Sequence, residues 1–330
     1  TDDLKIPDVR MIRPKNLVIY DNLKKKIYFI ENIYAETKIK NYFEKYHSIQ
    51  RNFETYEDYS NIKLPIKFNH QKNKNQIKSN ISKNQFKKSV KRAKEYIARG
   101  DIFQVVLSQR FERKINKTPL EIYNHLRLSN PSPFMFYFNF EDFKIIGSSP
   151  EILVRLRDNQ ITIRPIAGTR PRGITKAQDS KYAKDLLKDK KELAEHLMLL
   201  DLGRNDVGKV SKINSVKVTE SFTIEKYSHV MHIVSNVVGE FDHKNSIFET
   251  LLSGFPAGTV SGAPKIRAME IIDALEKNKR KLYAGGIGYF TPSKEFDTCI
   301  TLRTALIKNN KFYVQAGAGI VADSVPEKEY

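Results

Sequence analysis

The sequence has a single cysteine, Cys299, which excludes an internal disulfide and any CxxC metal motif and fits a reducing compartment. No apolar run approaches the roughly 18 residues that a membrane span needs, and no secretory leader pattern opens the chain. A cytoplasmic location without a membrane partner is therefore expected. There is no phosphate-binding GxxxxGK[ST] loop, and no GxGxxG is followed by a helix and, about twenty residues on, an acid. Nothing in the sequence supports nucleotide binding. Helix-turn-helix, zinc-finger and aromatic RNA-binding signatures are also missing.

What is present is a chain of 330 residues with 40% hydrophobic and 29% charged residues, a soluble globular composition long enough for a sizeable core. That length accommodates one large catalytic domain, alone or with an appendage. The formal charge of +19 raises a nucleic-acid reading. The excess, however, is mostly lysine interspersed with Asn and Ile, as across residues 69–88, which reads as a solvated surface and linker bias. No nucleic-acid partner is expected; the charge suits an anionic substrate or an acidic protein. Because the first residue is Thr1, the chain is expected to be a fragment.

Residues 17–30 give two β-rich runs around a polar turn, hence a hairpin. Residues 63–82 are polar and lack periodicity, and read as a linker between a region 1–62 and a catalytic domain 83–330. Phe86, Val90, Ala93 and Ile97 then recur at helical spacing behind a Ser cap, with Gly100 as a stop. Thr118 and Pro119 open a second helix. Further helices are expected over residues 181–206, 245–253 and 264–276, among runs that read as strands and hairpins. This order predicts an α+β fold with mostly antiparallel sheets.

In GFPAGTVSGAPK, Pro264 suits the first turn of a helix carrying Ile266, Met269, Ile272 and Leu275. The loop at residues 257–262 would then either aim backbone N–H groups at an anion or simply precede a helix cap. Glu192 and Glu195 are three apart, so a helix presents both on one face to a common cation such as Mg2+. Around them cluster His196, Asp201, Arg204, Asn205 and Asp206, and Glu327 with Glu329 offers a second acidic site. His229 and His232 are also three apart, but without a tight HxxxH or HxH pattern a lone histidine acid or base is favoured over zinc.

Taken together, DIFQVVLSQRF, GSSPEILVR, RPIAGTRPRG, ELAEHLMLLDLGRNDVGKV, GFPAGTVSGAPKIRAMEIIDALE and QAGAGIVADSVPEKEY resemble the chorismate-utilising enzymes, most closely the component I (large) subunits of anthranilate synthases. The resemblance spans residues 82–330 and, weakly, the N-terminal part as well. It implies two antiparallel β-sheets packed together and flanked by helices, Mg2+-bound chorismate, and ammonia from a glutamine amidotransferase subunit (component II). Residues 1–62 would be a remnant of an N-terminal regulatory region. By motif, Glu195 would ligate the metal with Glu192 beside it, and Glu329 would belong to a second acidic pair whose other member follows Tyr330. Gly168, Thr169, Thr259, Tyr283, Arg303, Gly317 and Gly319 match positions that hold the substrate carboxylates and ring.

The resemblance also implies roles. Glu151 would be the general acid that protonates the departing 4-hydroxyl, for which its pKa must be raised by burial, and His232 would assist the later loss of pyruvate. Relatives that add water carry a lysine where this sequence has Gln104, and aminodeoxychorismate synthases commonly carry a lysine where it has Ala167. With neither amine present, external ammonia is the nucleophile expected at ring carbon 2, and an aminodeoxychorismate synthase is the alternative enzyme. A basic nucleic-acid or scaffold protein is the non-enzymatic alternative. Pro133, Phe134 and Met135, with Ile287 and Tyr289, would contact a tryptophan feedback inhibitor, or else belong to a buried strand.

Overall fold

The computed structural model describes residues 1–34 and 77–330, together with residues 44, 47 and 48. The chain divides into two compact units, Ile6–Lys72 and a larger one of Thr1–Lys5 with Asn73–Tyr330. In the smaller unit β1 (Asn16–Asp21) and β2 (Lys26–Glu31) form the expected hairpin, with Asn16 opposite Glu31 and Asp21 opposite Lys26. The Asp21 carboxylate accepts from the N–H groups of Leu23 and Lys24 and so closes the turn.

The boundaries drawn at residues 62 and 83 differ from this division. Thr1–Lys5 belong to the larger unit, where Asp3 pairs with Arg110. At the other end Lys78–Ser79 form a short strand, β3, inside the fold. Residues 63–76 of the expected linker lie outside the described residues.

The larger unit contains two seven-stranded sheets, and every described pairing is antiparallel. One sheet comprises β7 (Ile152–Arg157), β8 (Gln160–Ile163), β9 (Ile166–Pro171), β10 (Lys217–Lys226), β11 (Val230–Glu240), β13 (Gly286–Phe290) and β14 (Phe296–Ile300). Its order is β10-β11-β8-β7-β14-β13, with β9 also on β11. The second comprises β3, β4 (Gln104–Lys114), β5 (Phe134–Asn139), β6 (Lys144–Ser149), β12 (Gly262–Ala263), β15 (Thr304–Lys308) and β16 (Lys311–Ile320). Its order is β12-β4-β16-β15-β6-β5, with β3 also on β4.

Two short chain passages run from one sheet to the other: Pro150–Glu151 between β6 and β7, and Thr301–Arg303 between β14 and β15. They are tied together, since the Ile300 N–H donates to the Glu151 carbonyl at 3.0 Å and the Ser148 N–H to the Arg303 carbonyl at 3.3 Å. Leaving one sheet for the other breaks the regular ladder, and Arg303 turns there with a φ of 48°.

Helices cover the sheets where their apolar stripes demand it. In α1 (Lys83–Ala98), Ser82 and Gln85 form a capping box, and Phe86, Val90 and Ala93 pack with Val105, Leu107 and Ile320. Thr118 caps α2 (Pro119–Ser129) in the same way. The helix expected over residues 181–206 is two helices, α3 (Lys176–Leu186) and α4 (Lys190–Gly208). Asp189 separates them: its carboxylate accepts from the Lys191 and Glu192 N–H groups and starts a new helix. Leu200 and Val207 of α4 enter a core with Leu153, Val154, Ile161, Val237, Phe296 and Ile300, each such burial contributing about 1.5–3 kcal/mol.

After α5 (Ile247–Ser253), the expected loop at residues 257–262 contains one helical turn, α6 (Gly258–Ser261), and the start of β12. Pro264 is the N-cap of α7 (Lys265–Leu275) rather than its first helical residue. The buried stripe of α7 is Ala268, Ile271 and Ile272, whereas Ile266 is 75% exposed and Met269 is also exposed, so the expected stripe holds only in its second half. A last turn, α8 (Pro326–Glu329), closes the chain. Among the described residues no helix is long and apolar enough to cross a membrane.

Candidate active site

Glu151 stands at the passage between the sheets, only 5% exposed. Burial pushes its carboxyl up to about 8, against the smaller opposing pulls of the Thr259 hydroxyl and the Ile166 N–H. The Thr259 contact falls short of a full hydrogen bond, leaving Oγ1 buried and unpartnered. A carboxyl in this state keeps its proton at neutral pH and can donate it. The sequence-level expectation of a buried acid at this position agrees with that geometry.

His232 lies on β11. Its Nδ1 lies 3.0 Å from the Gly168 carbonyl and 3.1 Å from Thr169 Oγ1. A carbonyl only accepts, so Nδ1 carries the hydrogen and Nε2 is left as the basic nitrogen. Burial lowers the imidazole pKa, the Gly168 bond opposes this, and the Arg303 charge lowers it further. Tyr227 meets the ring edge-on at 5.4 Å and donates to Glu225, which also binds Arg164.

Gly168 makes this contact possible. His232 faces Thr169 across the ladder, but Ile233 faces Ala167, so Gly168 is the extra residue of a β-bulge, with a φ of 69°. A Cβ there would press on the Glu192 carboxylate and on Ile233. The bulge therefore brings the Gly168 carbonyl to His232 and its Cα toward Glu192. Ala167 is half-buried and offers no amine.

Beyond the bulge lies a cluster of acids. Burial raises the Glu195 pKa; the hydrogen bond from Gln104 Nε2, at 2.8 Å, opposes the rise, and the charges of Glu192 and Glu329 add to it. Gln104 is 4% exposed and its Oε1 is buried without a partner in the fold. Glu192 is held by Arg170 at 3.3 Å. Among the described residues no three acidic, histidine or cysteine side chains stand close enough to cage an ion by themselves. Converging carboxylates without a full cage fit Mg2+, which keeps waters and takes one or two protein carboxylates together with substrate oxygens.

Two glycines of β16 make room here. A Cβ on Gly319 would strike the Gln104 amide, and one on Gly317 would strike the Tyr283 hydroxyl and Val106. Tyr283 is buried, which pushes its hydroxyl up to about 12. The structure thus assembles Glu151 with Thr259, His232 with Gly168, Thr169 and Arg303, and Glu195 with Gln104, Glu192, Glu329 and Gly319.

Other candidates lie elsewhere. Glu327 points away and pairs with Lys87 at 2.6 Å. His229 is exposed near the Ser129 carbonyl and does not join His232. His196 is buried against Ser235 and Phe222, and burial pulls it down to about 4. Asp206 binds Lys265 and Lys209, and Asp201 binds Arg204 at the surface. Lys265, at the start of α7, is thereby committed to Asp206, and Thr259 is the side chain that residues 257–262 turn toward Glu151.

The three arginines of RPIAGTRPRG also receive places. Arg164 binds Glu220 and Glu225, Arg170 binds Asp185, Asp189 and Glu192, and Arg172 binds Asp179. Of the expected effector contacts, Phe134 and Met135 lie on the edge strand β5, with Pro133 just before it, and Ile287 and Tyr289 lie on β13, at the edge of the other sheet. Pro133 is exposed, Phe134, Met135 and Ile287 are half-buried, and Tyr289 is 54% exposed, so neither segment is the fully buried strand of the alternative reading.

Two antiparallel sheets, a buried protonated acid at their junction, an imidazole of lowered pKa and a cluster of glutamates define a site equipped for proton transfer and for holding a cation. The model of the chorismate binding enzyme family matches residues 1–330, and the chain belongs to that family. It is 49% identical over 330 residues to anthranilate synthase component 1 of Cereibacter sphaeroides, covering 100% of this chain and 66% of the relative. It is 48% identical over 330 residues to anthranilate synthase component 1 of Aquifex aeolicus, covering 100% of this chain and 67% of the relative. The crystal structure of anthranilate synthase component I from Streptococcus pneumoniae TIGR4 superposes with a TM-score of 0.85 at 39% identity, covering 96% of this chain and 69% of that one. The chain thus spans about two thirds of the length of these relatives.

Proposed function

We propose that this chain carries the catalytic part of an anthranilate synthase, converting chorismate and ammonia to anthranilate, pyruvate and water as part of tryptophan biosynthesis. The observation that carries the reading is the side chain at Gln104. It is buried beside Glu195 and presents an amide, and with Ala167 the second possible lysine position is empty of amine as well. A site with an acid but no resident nucleophile or amine base takes its nucleophile from outside.

In the first step ammonia adds at ring carbon 2, the ring double bonds shift, the 4-hydroxyl leaves as water with the proton of Glu151, and the ammonium so formed releases one proton, which restores the acid. In the second, the proton on carbon 2 is lost and pyruvate departs from carbon 3, giving the aromatic ring. Uncharged His232, with Nδ1 fixed by Gly168, accepts or relays a proton through Nε2 in this step. Arg303, Tyr283, Thr169 and Gly168 bind and orient the carboxylates. Glu195 would ligate Mg2+ with Glu192 and Glu329 beside it, and the metal would supply charge compensation for the substrate dianion. Ammonia would come from a glutamine amidotransferase partner, and tryptophan would act as feedback inhibitor at β5 and β13.

Incubation with chorismate, MgCl2 and an ammonium salt tests the reading, with formation of anthranilate followed by fluorescence and pyruvate by a coupled dehydrogenase. Equal amounts of the two products are expected. Pyruvate formation without anthranilate, or an amino product that keeps its pyruvyl group, would overturn it.

A further inference from the structure

Arg280 lies between α7 and Tyr283, outside every segment used to assign the site. Its side chain is 15% exposed and each guanidinium nitrogen has a partner. Nε and Nη2 bind the two Glu276 oxygens at 2.9 and 2.6 Å, Nη2 also donates to the Val106 carbonyl at 2.6 Å, and Nη1 donates to the Val260 carbonyl at 2.7 Å. Its central carbon stands 5.4 Å from the centre of the Tyr283 ring. Glu276 is itself anchored, accepting from the Ser108 N–H at 2.8 Å and its hydroxyl at 2.9 Å, while Gln315 Nε2 donates to that hydroxyl at 2.7 Å.

The acceptors belong to separate elements, and each adjoins a site residue. Val260 follows Thr259, which faces Glu151; Val106 lies two residues beyond Gln104; Tyr283 meets Gly317. A structural brace would need the hydrogen bonds alone. This one cation fixes three groups of the site at once, and only the planar five-donor fork of arginine makes that set of bonds.

We infer that Arg280 is a positioning residue of the site, holding Thr259, Tyr283 and the start of β4 in register, with Glu276 holding Arg280 in turn. The inference rests on the chorismate reading given above.

Arg280→Lys keeps a cation beneath Tyr283 but loses the fork. The KM for chorismate is expected to rise and kcat/KM to fall between about 10- and 100-fold, the scale of a misplaced binding group. The alkaline limb of kcat/KM moves to higher pH, because the Thr259 contact that restrains the Glu151 pKa is loosened. Glu276→Gln and Ser108→Ala, which disturb only the anchor, move both quantities in the same direction by less. If these variants lose thermal stability while KM and the alkaline limb stay in place, Arg280 is only a brace and the inference fails.

Should the parent protein form no anthranilate, it is the functional reading that fails. The positioning role is then read from the infrared titration of the Glu151 carboxyl, assigned by its loss in Glu151→Gln. An upward shift in Arg280→Lys supports the inference, and an unchanged titration overturns it.

Discussion

Gln104 Nε2 donates to Glu195 Oε1 at 2.8 Å, and the other end of the same amide, Oε1, is buried without a partner in the fold. The amide is thereby oriented, since only its NH2 end can face a carboxylate. In the proposed reaction an N–H donor such as ammonia would satisfy its free acceptor. Replacing Gln104 by Met keeps the volume and removes both functions. A loss of about 10-fold in kcat/KM is expected, the size of one hydrogen bond to a charged group, with little change in melting temperature. Steady-state assay with varied ammonium checks it, and an unchanged kcat/KM would place Gln104 outside the reaction.

Glu151 couples pH to both activity and stability. Its folded pKa, pushed up to about 8, exceeds the ordinary value of 4.5. The folded state therefore binds the proton more tightly than the unfolded chain. Stability from this group is complete below about 4.5 and is lost as pH rises through 8, by a few kcal/mol in order of magnitude. In Glu151→Gln that loss disappears, so urea unfolding should show the variant gaining on the parent between pH 5 and 8. Its ammonia-dependent turnover should fall by about 100-fold or more, and the parent's kcat/KM should decline above about pH 8.

His196 gives the opposite dependence. Burial pulls it from the ordinary 6.5 down to about 4, so the unfolded chain takes up the proton first as pH falls. Stability is fully present above 6.5 and is lost toward pH 4, by about 3 kcal/mol. His196→Gln should flatten this acid limb while leaving kcat/KM at pH 8 within about threefold, because His196 contacts Ser235 and Phe222 and not the acidic cluster. Thermal melts at a series of pH values decide the matter.

The glutamate cluster predicts a cation. Calorimetric titration of the parent with MgCl2 in the presence of chorismate should show binding that Glu195→Gln abolishes or weakens by at least about 10-fold. Because Glu195 has a raised pKa, binding in the parent should also weaken as pH falls, the proton competing with the metal. Equal binding in parent and variant would remove Glu195 from the ligand set.

Gly317→Ala tests close packing. Its methyl group would press on the Tyr283 hydroxyl and on Val106, neither of which is the end of a flexible chain. The KM for chorismate should rise about 10-fold or more, with a stability loss of about 1–3 kcal/mol from overpacking. An unaffected KM would show that Tyr283 does not touch substrate.

Much of this protein was legible in its sequence. The ordered motifs, the N-caps Ser82 and Thr118, and the alternation of strand-like runs lead to an α+β fold, because caps and periodicity act within a few residues of chain. The same local signals mislead where a distant partner intervenes. Asp189 reads as one polar residue in a helix until it is seen capping α4 and binding Arg170, and Met269 fits a helical stripe that the sheet does not cover.

Residue types and order by themselves determined the family and the absence of lysine at positions 104 and 167. Tertiary structure decided which of the charged residues belong together. It separates Glu329 from Glu327 and His232 from His229, and it commits Arg164, Arg170 and Arg172 to acidic partners. It also makes Glu151 an acid, since a carboxyl keeps its proton at neutral pH only when the surrounding chain removes water from it, and that burial comes from residues far along the sequence.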